Sequence, residues 1–149
     1  LRVGVVKHAH HDFDIDHPGK DTNEFRQAGA EQVAVASHKR IAWIKEKQAD
    51  KSVPALSDAL AALEINDLDL VIAEGFKSES FAKIELHRPG LGKPLLCTQD
   101  KDIVALATDA NVKVTPTPQL LDLNNVDEIT EFILSYVNKH NSKAPTHAA

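Results

Sequence analysis

The sequence predicts an α/β protein, three-layered and built on a mostly parallel sheet, and three observations carry that reading. Short apolar segments at residues 3–6, 70–73 (within a strand at 68–73) and 103–107 are continuous rather than alternating, as strands covered on both faces are. Amphipathic helical segments separate them, which is the βαβ pattern. No internal repeat and no Pro/Gly/Ser-rich linker divides the chain, so residues 1–139 read as one domain, followed by a polar, disordered tail at 140–149.

The elements follow in order. Val3-Gly4-Val5-Val6 reads as a buried strand. After the polar stretch 7–17 and the turn Pro18-Gly19, Asp21 with Glu24 three residues on forms a capping box for a helix over 22–28, and Gly29 stops it. Residues 32–37 and 41–44 read as strands, the second short and paired nearby. Ser52 caps a further helix with Pro54 in its first turn, and Val53, Leu56, Leu60 and Leu63 form its apolar stripe. Strands follow at 68–73, at 83–88 (alternating, half-exposed) and at 103–107, with a brief apolar element at 120–123. The last helix covers 126–139, with Ile129, Phe132, Ile133, Tyr136 and Val137 on one face.

Composition bounds the function. The chain has 149 residues and a net charge of -5, so it lacks the basic footprint of a duplex-binding protein. No apolar run approaches the roughly 20 residues that cross a bilayer. A single cysteine, Cys97, excludes a disulfide framework and a cysteine-only zinc site, and fits a reduced, cytoplasmic protein. Cys97 reads as a small core residue and Trp43 as a core or subunit contact. The chain opens directly on a core-type strand and contains no Met, which predicts a preceding segment outside this sequence.

In parallel sheets ligands bind at the carboxyl ends of strands. That rule selects Lys7-His8, Glu74-Gly75 and Thr108-Asp109, each of which follows a buried strand. Glu74 stands where nucleotide hydrolases place a carboxylate that holds magnesium through water, although an acidic strand end is also a common turn former. The stretch 8–17 is dense in His and Asp; extended, it puts His8, His10, Asp12, Asp14 and Asp16 on one face. Imidazole suits zinc or nickel and carboxylate suits magnesium, but His11 and Asp12 equally suit a buried pair that pins the loop. Lys20 precedes a helix start and suits an anion, while the Asp21 cap opposes one.

The segment from Val5 through Lys7-His8-Ala9-His10-His11-Asp12-Phe13-Asp14-Ile15-Asp16-His17-Pro18-Gly19-Lys20-Asp21, then Arg26-Gln27-Ala28-Gly29-Ala30, resembles the MobB family of molybdopterin-guanine dinucleotide biosynthesis adapter proteins. Leu70-Val71-Ile72-Ala73-Glu74-Gly75-Phe76-Lys77 with Ala82-Lys83-Ile84, and Val104-Ala105-Leu106-Ala107-Thr108-Asp109, are similar to two further blocks of that family, in its order. The resemblance implies a P-loop NTPase fold and a GTP-binding, weakly hydrolysing, homodimeric adapter in molybdenum cofactor biosynthesis. It implies GTP and magnesium as ligands, a MobA-type guanylyltransferase as partner, and molybdopterin or its guanine dinucleotide as the substrate served. It makes 8–21 a switch-like loop facing the phosphates, gives Glu74 and then Asp12 to magnesium, and Thr108 and Asp109 to the nucleotide. Lys7, Lys20 and Lys77 are candidate anion contacts, each of which reads equally as a solvated surface lysine. Residues 1–149 contain no GxxGxGK[ST] loop, so the first β-α unit is expected to be the missing piece. Two other readings stand beside this one: a non-hydrolysing module that binds a partner, and a metal-delivery protein using His8 to His17.

Overall fold

Val3 to Lys7 forms β1, and its side chains alternate: Gly4 and Val6 are buried, whereas Val3 and Val5 stay 46% and 61% exposed. The computed structural model describes residues 1–9, 11–47, 54–115 and 118–141. It resolves two compact units, Leu1–Lys77 and the part from Ser78 onward.

In the first unit β1 pairs in parallel with β4 (Leu70–Glu74), in a register that sets Val5 against Ile72 and Lys7 against Glu74. Covering on both faces was expected for β1; the structure buries one. The buried face meets the turn after α2 (Leu56–Leu60), where Leu63 and Leu68 pack so closely on Gly4 that an added Cβ would lie 2.5 Å from Leu68 Cδ1. This helix begins after Pro54 with Ala55 as its N-cap and lacks the fuller length the stripe predicts; Ser52 and Val53 lie outside the described residues.

The first helix, α1 (Asp21–Gln27), has Lys20, not Asp21, as its N-cap, with no side-chain capping bond. Asp21 and Glu24 instead occupy the first turn, where their charge complements the helix dipole. Its end is as expected: Gly29 N–H donates to Arg26 O and Ala30 N–H to Phe25 O, a Schellman arrangement. The strands β2 (Gln32–Ala36) and β3 (Ile41–Lys45) form an antiparallel hairpin, closed by Ser37, whose Oγ accepts from the N–H groups of Lys39 and Arg40. One hairpin face carries Ile41 and Trp43, 75% and 45% exposed, so Trp43 is not a core residue of this chain.

The second unit is a three-stranded parallel sheet in the order β5 (Lys83–His87), β6 (Ile103–Thr108), β7 (Gln119–Asp122). Leu106, fully buried, packs with Cys97, Ile103 and Val114 on one face. On the other, Ala105, Ala107 and Leu121 meet Ile129 and Phe132 of α3 (Val126–Asn141). That helix includes His140 and Asn141, which were assigned to the tail; residues 142–149 lie outside the described part. β5 alternates as expected but with the polar side inward: Glu85 and His87 are buried and Leu86 is 68% exposed. The inversion has a local cause. Both Glu85 carboxylate oxygens accept backbone N–H groups, from Leu96 and Cys97, each at 2.8 Å, which anchors the segment covering that face.

Among the described residues three of the four strand pairings are parallel, β1–β4, β5–β6 and β6–β7, and the hairpin alone is antiparallel. Among the described residues no helix is long and apolar enough to cross a membrane.

Candidate functional site

Parallel pairing of β1 with β4 brings two of the selected strand ends together. Lys7 Nζ lies 2.9 Å from Glu74 Oε2, and both side chains are largely exposed. The backbone ladder continues one step further, with His8 N–H donating to Glu74 O at 2.9 Å. After Glu74 the chain turns sharply through two left-handed residues, Gly75 at φ +85° and Phe76 at φ +49°. A non-glycine residue in that region costs on the order of 1–3 kcal/mol. Burial of the Phe76 ring, 5% exposed, and its stacking on the His8 ring at 5.3 Å offset that cost. Glycine is required at 75, because a Cβ there would lie 2.8 Å from His8 Cβ. This corner fixes the Glu74 carboxylate at the open end of the strand pair, beside a lysine ammonium.

The loop after β1 is not an extended strand with all its ligand-type residues on one face. Asp14 and Asp16 both turn to Arg26 of α1, with Nη1 at 3.0 Å from Asp14 Oδ1 and 3.3 Å from Asp16 Oδ2. Thr22 Oγ1 donates to Asp16 Oδ1 at 2.8 Å. The Asp14 carboxyl lies below the usual carboxylate range, first because it accepts the Asp16 N–H and then because of Arg26. His11 and Asp12 are exposed, so the buried pair expected of them is not what pins the loop. Among the described residues no group of three His, Cys, Asp or Glu side chains is placed to hold a metal ion, and His10 lies outside them. Lys20 lines a shallow cleft of about 580 Å³, with Ile15, Asp16 and Thr22 on one side and Val35 and Ile44 of the hairpin on the other.

The third strand end belongs to the second unit. Thr108 is buried and closes β6, with its Oγ1 accepting Ala110 N–H at 3.4 Å. Asp109, the next residue, is held by Arg88 at the end of β5, Nη1 to Oδ2 2.7 Å. Arg88, Arg26 and the buried Glu85 are the residues that sequence reasoning missed. Their partners are 10–21 residues away, beyond any local periodicity, and only the presence of Arg26 in the Arg-Gln-Ala-Gly-Ala segment marked one of them.

The fold and these strand ends define an α/β protein whose polar groups gather at the carboxyl ends of parallel strands. Residues 1–109 match the family model of MobB, "Molybdopterin guanine dinucleotide synthesis protein B", and the chain belongs to that family. It is 38% identical over 142 residues to the molybdopterin-guanine dinucleotide biosynthesis adapter protein of Escherichia coli, covering 95% of this chain and 79% of that one. The Haemophilus influenzae adapter protein is 36% identical over 138 residues, 93% of this chain and 74% of its own. A crystal structure of molybdopterin-guanine biosynthesis protein B superposes with a TM-score of 0.65 at 27% identity, covering 93% of this chain and 80% of that one. The MobB homolog of Bacillus stearothermophilus shares the fold at a TM-score of 0.64 and 22% identity, over 93% and 79% of the two chains.

Proposed function

We propose that this chain is a GTP-binding adapter that assists a MobA-type guanylyltransferase in attaching GMP to molybdopterin, forming molybdopterin guanine dinucleotide. The observation that carries this reading is the strained corner at the end of β4, which presents Glu74 beside Lys7. An exposed carboxylate oxygen is a hard donor of the kind that suits hydrated magnesium, so Glu74, with Asp12 second, is assigned to the ion. Magnesium there would neutralise phosphate charge. Lys7 and Lys20 are assigned to phosphate, with Lys77 after the corner. In the second unit Asp109 is assigned to the guanine base and Thr108 supports its turn; Arg88 orients the Asp109 carboxylate through one oxygen. The chain's own residues thus orient and neutralise. Residues 1–149 contain no glycine-rich phosphate loop, so they do not supply the main phosphate cradle by themselves.

The protein is further proposed to act in the cytoplasm as a homodimer, through the hairpin face of Ile41 and Trp43. The test measures dinucleotide formed by a purified MobA-type enzyme with and without this protein, each with and without GTP and magnesium. GTP-dependent stimulation, lost in Glu74→Gln and with altered base preference in Asp109→Asn, is the expected result. Stimulation indifferent to GTP and to both variants overturns the nucleotide assignments and leaves a partner-binding module. No stimulation under any condition overturns the adapter reading itself.

A further inference from the structure

Arg26 joins three segments, and the assignments above make no use of it. Its side chain is only 14% exposed, and its guanidinium meets three carboxylates. Nε donates to Glu46 Oε1 at 2.5 Å, just past β3; Nη1 donates to Asp14 at 3.0 Å and Asp16 at 3.3 Å; Nη2 reaches the second Asp14 oxygen at 3.5 Å. The two aspartates are also tied into the loop's own backbone. Asp14 Oδ1 accepts Asp16 N–H and Asp16 Oδ1 accepts His17 N–H, both at 3.0 Å. Holding these two carboxylates therefore holds the loop's path. At the other end Glu46 N–H bonds Glu31 O at 2.9 Å and closes the base of the hairpin. A guanidinium fork serves the two directions at once, which a lysine ammonium, a point donor, does not do. Without Arg26, three carboxylates would face one another with no cation among them, so the loop would be driven off and not merely loosened.

The segment so held forms one wall of the cleft. Ile15 and Asp16 lie on it, and Val35, Ala42 and Ile44 of the hairpin form the opposite wall. Phe13 and Ile15 nevertheless remain 73% and 62% exposed, so the loop's own apolar burial does not keep it in place. We propose that Arg26 is a positioning residue, a clasp that fixes the 11–17 loop and the base of the β2–β3 hairpin to one another and thereby sets the width of the cleft between them. The two walls then move together, through one side chain.

Amide hydrogen exchange on the whole protein tests this. In Arg26→Gln the amides of Asp16 and His17, and that of Glu46 across the clasp, should all exchange about tenfold faster, while those of β1 and β4 keep their rates. Arg26→Lys should restore one side only. Glu46→Gln, which touches neither aspartate, should still speed exchange at Asp16 and His17. Unchanged exchange at Asp16 and His17 in Arg26→Gln overturns the clasp. Should Arg26→Gln raise exchange throughout β1 and β4, the Glu46→Gln variant decides: faster exchange at Asp16 and His17 supports the coupling, and a response confined to the hairpin overturns it.

Discussion

Replacing Gly75 with alanine imposes two separable costs, and a second glycine in the same conformation separates them. Gly75 and Gly19 both sit at φ +85°. An alanine held left-handed costs about 1–2 kcal/mol relative to its preferred conformation. At Gly19 that is the whole expected cost, because a Cβ there meets nothing within 4 Å. At Gly75 the new Cβ would lie 2.8 Å from His8 Cβ, with His8 Cα and Cγ at 3.7 Å. His8 cannot simply withdraw, since its N–H is bonded to Glu74 O and its ring stacks on the buried Phe76. Overpacking of this kind costs about 1–3 kcal/mol more. With a urea slope of about 2 kcal/mol per M, the Gly75→Ala midpoint should fall about 0.5–1.5 M below that of Gly19→Ala. The fluorescence of Trp43, in the same unit, reports the transition. Because the contact is with Cβ, His8→Gly should recover the extra loss in a double-mutant cycle and His8→Ala should not. Coincident midpoints for the two glycine variants, or equal rescue by His8→Ala, would refute the steric account.

In the second unit, Leu106→Ala removes a side chain with no exposed surface and should cost about 2–5 kcal/mol, lowering the thermal midpoint by roughly 5–15 °C, whereas Leu86→Ala, at a side chain 68% exposed, should stay within about 0.5 kcal/mol. An equal effect of the two in a calorimetric scan would contradict the polar-inward register of β5. Glu85→Ala leaves the buried Cys97 N–H without an acceptor, at about 1–3 kcal/mol, frees the part-buried Leu96 N–H as well, and should make Cys97, now 7% exposed with its thiol pKa raised by burial, react with a disulfide reagent far faster than in the parent. Unaltered thiol kinetics would show that Glu85 does not hold that segment. Asp69 and Asp100 titrate below 3.8 in the folded state, the first chiefly through the Arg2 N–H and the second chiefly through Lys83. Their contribution is therefore complete at neutral pH and is lost as pH falls through 3.8 toward their depressed folded values. Carboxyl titrations by NMR with midpoints at or above 3.8 would remove this source of acid sensitivity.

Much of the site was legible before any coordinates, because strand ends are set by local pattern. Val3–Val6 and Leu70–Ala73 are apolar runs that stop at Lys7 and Glu74, and a parallel register then places those two residues side by side. The register itself was not legible, nor was the strain at Phe76, since no residue-type rule puts a phenylalanine in a left-handed position. The burial of Glu85 and His87 was not legible for a related reason. Alternation reports which residues share a face, but the identity of the buried face depends on what covers it, here a segment fastened to Glu85 itself. The helix start at Asp21 was displaced by one residue because a capping box requires a side-chain bond that this turn does not make.

Periodicity and residue type by themselves determined the α/β class, the places of six of the seven described strands along the chain, the polar strand ends and the resemblance to the MobB family. These depend on short-range rules: side-chain alternation, helical spacing and turn chemistry. Only the tertiary structure decided that Lys7 pairs with Glu74, that Arg88 holds Asp109, and that Arg26 gathers Asp14, Asp16 and Glu46. Each joins residues far apart in the chain, and an ion pair forms only where the backbone has already brought its ends within about 4 Å.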